Sequence, residues 1–131
     1  MPIHYRVDHE RKAVFAEGSG MFTDADVFGY QREVWSRPDV HGYCELIDMT
    51  AVEKIEQPTP ERIEQLAQLS AEMDAIARST RFAIVAPTPI AYGLGKMYQA
   101  MREMQVRSAK EVGVFRTRAE AFAFLGLKGL E

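Results

Sequence analysis

The residues best placed to do chemistry sit at two strand-to-helix junctions. In "AIVAPTPIAYGLGKMYQAM", residues 83–101, an apolar run stops at Pro87, Thr88-Pro89 follows, and a helical pattern begins with Gly93 and Gly95 in its first turns and Lys96 behind them. In "ELIDMTAVEKIEQPTP", residues 45–60, Asp48 and Thr50 follow a buried strand and Thr59-Pro60 opens the next helix. Strand, threonine, glycines and lysine outline a phosphate cradle. Free N–H groups at helix starts attract anions, and open parallel sheets bind ligands outside the carboxyl ends of their strands. Asp48, Thr50, Thr59, Thr88, Tyr92 and Lys96 are therefore the candidate ligand- or partner-binding residues. The alternative is that both threonines only cap their helices and Asp48 only braces a turn.

The cradle lacks its motif. A P-loop needs G-x-x-x-x-G-K-[ST] in the turn itself, whereas Gly95-Lys96 is followed by Met97, already inside the helix. A two-residue helical step turns about 200°, so Gly93 and Gly95 cannot serve one groove. The pattern places Gly93 beside Met97 and Ala100 at the edge of the apolar face, where a missing side chain permits close approach. Gly95 then faces away, at a cost of about 1 kcal/mol against alanine.

No catalytic or metal-binding set assembles from the remaining residues. His4, His9 and His41 fall on strand, turn and loop without metal-site spacing, and no acid–base pair or activated nucleophile is recognisable. The single cysteine, Cys44, excludes an internal disulfide and reads as a small core residue. The seven methionines fall mostly on helix stripes, with Met97, Met101 and Met104 as an alternative lining for an adaptable apolar pocket. No cofactor is expected.

Those junctions need a scaffold, and 131 residues supply one domain, expected over residues 1–131. Hydrophobic residues at 47% and charged residues at 27% are ordinary for a globular chain. A net charge of −3 with no basic run removes the electrostatic case for nucleic acid. The longest uncharged stretch, residues 82–95, is too short to span a bilayer, and "MPIHYRVDHERK" has no signal-peptide core. A cytoplasmic protein is expected.

Residues 3–8 and 13–17 read as a hairpin around "DHERK", broken after Glu17 by "GSG". Thr23, Asp24 and Asp26 open a helix that carries Val27, Phe28, Val34 and Trp35 on one side and ends before Pro38. Residues 43–49 form a strand, followed by a loop to Pro58. The helix from Thr59 presents Ile63, Leu66, Leu69, Met73 and Ile76. Residues 81–86 form the next strand, and the helix after Thr88 turns Ile90, Leu94, Met97, Met101 and Gln105 inward. Residues 111–115 form the last strand. Thr117 and Glu120 make a capping box for a final helix, which Gly126 ends. The order β-β-α-β-α-β-α-β-α gives an α/β fold: a mixed, mostly parallel sheet opened by an N-terminal hairpin and covered by four helices.

With "ELIDMTAVEKI", "RFAIVAP…AYGLGKMYQAMRE" and "VGVFRTRAEAFAFL" in that order, nearly the whole chain resembles the SpoIIAA-like branch of the STAS superfamily. STAS domains occur in anti-sigma-factor antagonists and sulfate transporters. The resemblance implies four or five strands, helices mostly on one side, and regulatory binding rather than catalysis. Antagonists of this superfamily carry an Asp-Ser-Ser-Gly-like phosphoacceptor at the second helix start. Glu56-Gln57-Pro58-Thr59 stands there in this chain, without serine or glycine. The fold is also similar to CRAL-TRIO lipid-binding domains.

The expected function is a non-enzymatic regulatory or protein-interaction module acting through a protein partner or a homodimer. The alternative is a carrier or sensor of a small apolar or anionic ligand near the carboxyl ends of the strands. An apolar surface patch over a packed interior would favour the first, and a closed cavity of about 300 Å³ beneath the third helix the second.

Overall fold

The computed structural model describes residues 3–74, 80–105 and 109–127. Five strands, β1 (Ile3–Asp8), β2 (Ala13–Phe22), β3 (Cys44–Ile55), β4 (Thr80–Val85) and β5 (Lys110–Phe115), lie side by side in chain order. β1 and β2 form the expected antiparallel hairpin, with Lys12 at φ 54° in its turn, and every later pair is parallel. The helices are α1 (Asp24–Val34), α2 (Pro60–Glu72), α3 (Pro89–Glu103) and α4 (Arg118–Leu125).

All four start signals are real. The hydroxyls of Thr23, Thr59, Thr88 and Thr117 accept from the backbone N–H of Asp26, Arg62, Ala91 and Glu120. Each satisfies one of the donors that a helix start leaves free. Gly126, at φ 73°, ends α4 in the left-handed conformation that glycine adopts without steric cost.

Two strands outrun their sequence signals. β2 does not stop at Gly18-Ser19-Gly20 but continues to Phe22, and β3 does not give way to a loop after Met49 but continues to Ile55. The extensions pair with each other through two register shifts, between Glu17 and Ser19 and between Gly20 and Met21. Gly18 is required there, because a Cβ would lie 2.8 Å from the Phe22 ring and 3.1 Å from Val52. Cross-strand pairing overrides the local preference of glycine for turns.

Strand alternation sends residues to two unequal layers. Ile47 and Ile84 face the main core with Val34, Ile63, Ala91 and Tyr98 from α1, α2 and α3. Leu46, Ala83 and Val85 face the other way and pack with Ala121 and Phe122 of α4. Among the described residues, α1, α2 and α3 thus cover one face and α4 the other.

α3 is rotated from the orientation its hydrophobic pattern suggests. Its buried residues are Ala91, Gly95, Tyr98 and Arg102, while Ile90 is 61% exposed, Met97 38% and Met104 79%. Arg102 accounts for the turn: its guanidinium lies 2.6 Å from both carboxylate oxygens of Asp74 and donates to the Tyr98 hydroxyl, all three side chains being buried. The small side of the helix faces the sheet and allows close approach. The two glycines therefore exchange the roles assigned from sequence. A Cβ on Gly95 would meet Val114 Cγ1 at 2.9 Å, whereas one on Gly93 would meet nothing within 4 Å.

α2 shows a milder version of the same effect. Ile63, Ala67, Ser70 and Ala71 are its buried residues, with Leu66 and Met73 only partly covered. Ile76, expected on that stripe, lies outside the described residues.

Candidate functional site

An incompletely filled space of about 120 Å³ lies between the sheet and α1, α2 and α3. Ile47, Phe82 and Ile84 floor it, Val27, Ile63 and Leu66 form its sides, and Ala91, Leu94, Gly95 and Tyr98 roof it. Thr23, Asp24, Glu56, Pro58 and Arg62, each half-exposed or exposed, mark the mouth. There Arg62 Nε donates to Asp24 Oδ2 at 2.8 Å and its guanidinium covers the Phe28 ring at 4.2 Å, tying α2 to α1. This pair holds the Asp24 carboxyl below its ordinary range, chiefly through the hydrogen bond from Arg62.

The inner end is polar and internally satisfied. Glu45 Oε2 accepts from the Tyr30 hydroxyl at 2.7 Å and from Trp35 Nε1 at 3.0 Å, and its Oε1 accepts from Lys110 Nζ at 3.0 Å. Lys110 also sits 3.2 Å from the centre of the Trp35 ring, a cation–π contact in a desolvated site. Desolvation pulls the Lys110 ammonium below its ordinary value although Glu45 opposes it, and desolvation pushes the Tyr30 phenol well up. Ser70 Oγ donates to Gln31 Oε1 at 3.0 Å, and the Gln31 amide reaches the Met73 sulfur at 3.7 Å.

Among the described residues every buried side-chain N and O has a partner. With both oxygens of Glu45 engaged, this arrangement braces a wall rather than offering a free base. Cys44 is not activated as a nucleophile either: burial raises its thiol above the ordinary value.

The six residues singled out from sequence do not converge. Asp48, on the α4 side of the sheet, is 3% exposed. Its Oδ1 accepts from Thr50 N at 2.9 Å and from the Thr50 hydroxyl, while its Oδ2 accepts from Arg118 at 2.7 Å. It lines an open cleft of about 370 Å³ with His4, Arg6, Glu17 and Arg118, across the sheet from the apolar space. Thr59 and Thr88 cap α2 and α3, Tyr92 lies 4.3 Å beneath the Arg116 guanidinium, and Lys96 is exposed on α3. Capping describes the contacts of the two threonines, whereas Asp48 lies within β3 and binds Arg118 of α4 rather than bracing a turn.

Reasoning from sequence missed Tyr30, Gln31, Glu45, Ser70 and Tyr98. Two signals were available: an acid inside the apolar strand "YCELID", and the small-residue spacing Ala91-x-x-x-Gly95, which aligns a flat face.

Among the described residues no helix is long and apolar enough to cross a membrane, and no group of three or more His, Cys, Asp or Glu residues is arranged to hold a metal ion. No family model matches the chain, and no curated protein matches it in sequence. In three dimensions it is similar to an uncharacterised protein of the DUF3478 family, with a SpoIIAA-like fold, from Shewanella loihica PV-4. The TM-score is 0.58 at 12% identity, over 94% of this chain and 93% of the other. One antiparallel hairpin, three successive parallel pairings of strands β2 to β5 read in chain order, and this structural match together give the chain a SpoIIAA-like α/β fold.

Proposed function

We propose that the domain is a non-enzymatic regulatory module of the cytoplasm that senses a small apolar ligand between its sheet and helices α1–α3. The observation that supports this reading is the apolar space of about 120 Å³. Natural cores hold few voids larger than a water molecule. Engineered dry cavities of about 150 Å³ bind benzene.

The space is smaller and more open than the 300 Å³ closed cavity set as the mark of a carrier, so its ligand is ring-sized or a short branched chain. The mouth holds two carboxylates, Asp24 and Glu56, against one guanidinium, Arg62. This balance favours a neutral ligand over the anionic one considered from sequence. The protein-partner expectation rests on a different surface, the outward side of α3.

Titration of the methyl resonances with toluene tests the sensing role. Saturable shifts confined to Ile47, Ile63, Ile84 and Leu94 are expected. They should weaken at least tenfold in Ala91→Leu, which fills the roof while the protein stays folded. Absence of saturable shifts, or shifts untouched by Ala91→Leu, would reject the role.

A further inference from the structure

We infer that α3 is the contact surface of an antiparallel homodimer, in which the outward stripe of one copy packs against the same stripe of a second. Ile90, Gly93, Met97, Ala100 and Met104 are all exposed. Their spacing of three, four, three and four residues is the a/d seam of a heptad repeat, sustained over a 15-residue helix. A side chain at Gly93 would meet nothing within its own copy. The stripe is therefore not needed to pack this helix onto the sheet, which is the work of Ala91, Gly95, Tyr98 and Arg102.

The seam alternates large and small residues in a way that matches its own reversal. Laid antiparallel, Met97 falls opposite the partner's Ala100 and Met104 opposite the partner's Gly93, so each methionine enters the gap left by a small residue. The same register brings the flanking positions on one side together, Lys96 with the partner's Glu103 and Glu103 with the partner's Lys96. Both residues are exposed, and neither has a side-chain partner within its own copy among the described residues. A parallel arrangement would instead stack methionine on methionine and leave both charges without a complement.

Charge also separates a second copy from a lipid surface. The chain carries −3 overall, and the stripe is flanked by one cation and one anion, which offers no attraction to an anionic bilayer. One short helix face buries less than the roughly 1,600 Å² of a standard interface, so the association is weak and concentration-dependent. A C2 contact of this kind is self-complementary and closes on itself.

Sedimentation equilibrium of the full chain across concentrations tests the assignment. Wild type should pass from monomer to dimer, and Met97→Glu should remain monomeric with an unchanged melting temperature. Lys96→Glu alone should weaken the dimer at least tenfold, as should Glu103→Lys alone. The double exchange should return affinity to within about threefold of wild type, since it restores both charge pairs. A wild type monomeric at millimolar concentration, a dimer indifferent to Met97→Glu, or a double exchange that fails to recover would overturn the proposal. So would a monomer that sediments with phosphatidylcholine vesicles and loses them in Met97→Glu, which would assign the stripe to lipid.

Discussion

Replacing each glycine of α3 by alanine separates the observed orientation of the helix from the one its hydrophobic pattern suggests. At Gly95 the added Cβ would lie 2.9 Å from Val114 Cγ1, 3.4 Å from Cγ2 and 3.8 Å from Ile84 Cγ2. Val114 is buried in the sheet and, being β-branched, has little freedom to rotate away. Relief must come from α3 lifting by a few tenths of an ångström. Overpacking of this kind costs about 1–3 kcal/mol, and the gain in helix propensity returns about 1 kcal/mol, leaving a net loss of about 1 kcal/mol. At Gly93 nothing within the monomer opposes the Cβ, so at concentrations where the chain is monomeric the propensity gain stands alone at about 0.5–1 kcal/mol. Entropies of unfolding near 2.1 cal/mol/K per residue convert 1 kcal/mol to about 4 °C for a chain of this length. Calorimetry should therefore place Gly93→Ala above wild type and Gly95→Ala below it, with about 7 °C between them. Gly95→Ala melting as high as Gly93→Ala would refute the buried face of Ala91, Gly95, Tyr98 and Arg102.

Glu45→Gln should destabilise the protein by about 3 kcal/mol in urea titrations, because it removes the carboxylate that accompanies a desolvated Lys110. Adding Lys110→Met should recover part of that loss. Tyr30 and Tyr98 are both raised by desolvation, so the unfolded chain releases these protons first; stability is full below about pH 10 and falls as the pH climbs further. Absorbance at 295 nm should show two tyrosines ionising only together with loss of the far-ultraviolet circular dichroism signal, and five early titrations would contradict their burial. Thr88→Ala should cost about 1 kcal/mol in thermal melts through loss of the cap on Ala91 N, and an unchanged melting temperature would show the cap to be dispensable.

Elements whose signals are local were legible in the sequence. Thr23, Thr59, Thr88 and Thr117 announce helix starts because a hydroxyl cap depends on the next three residues alone, and Gly126 announces an end for the same reason. What depends on distant partners was not. Nothing near Gly18 indicates that Val52 will pack against it, so the local pattern ends the strand too early. Arg102 reads as a surface residue until Asp74, 28 positions away, is placed against it. With Arg102 buried in that pairing, Gly95 faces the sheet and Met97 faces outward. The candidate site suffered most, since its polar end joins Tyr30 and Glu45 to Lys110 behind them, and their meeting is decided by sheet order.

The two ends of α3 are fastened unequally. Its last turn is bolted down by the doubly bonded Arg102–Asp74 pair, while its first half rests over unfilled space through Ala91, Leu94 and Gly95. Under the sensing role proposed above, a guest entering that space would press on the first half of α3, and the tilt would be largest at Ile90 and smallest at Met104, beside the Arg102–Asp74 pair. The outward stripe of α3 would then carry a record of occupancy on the outer surface.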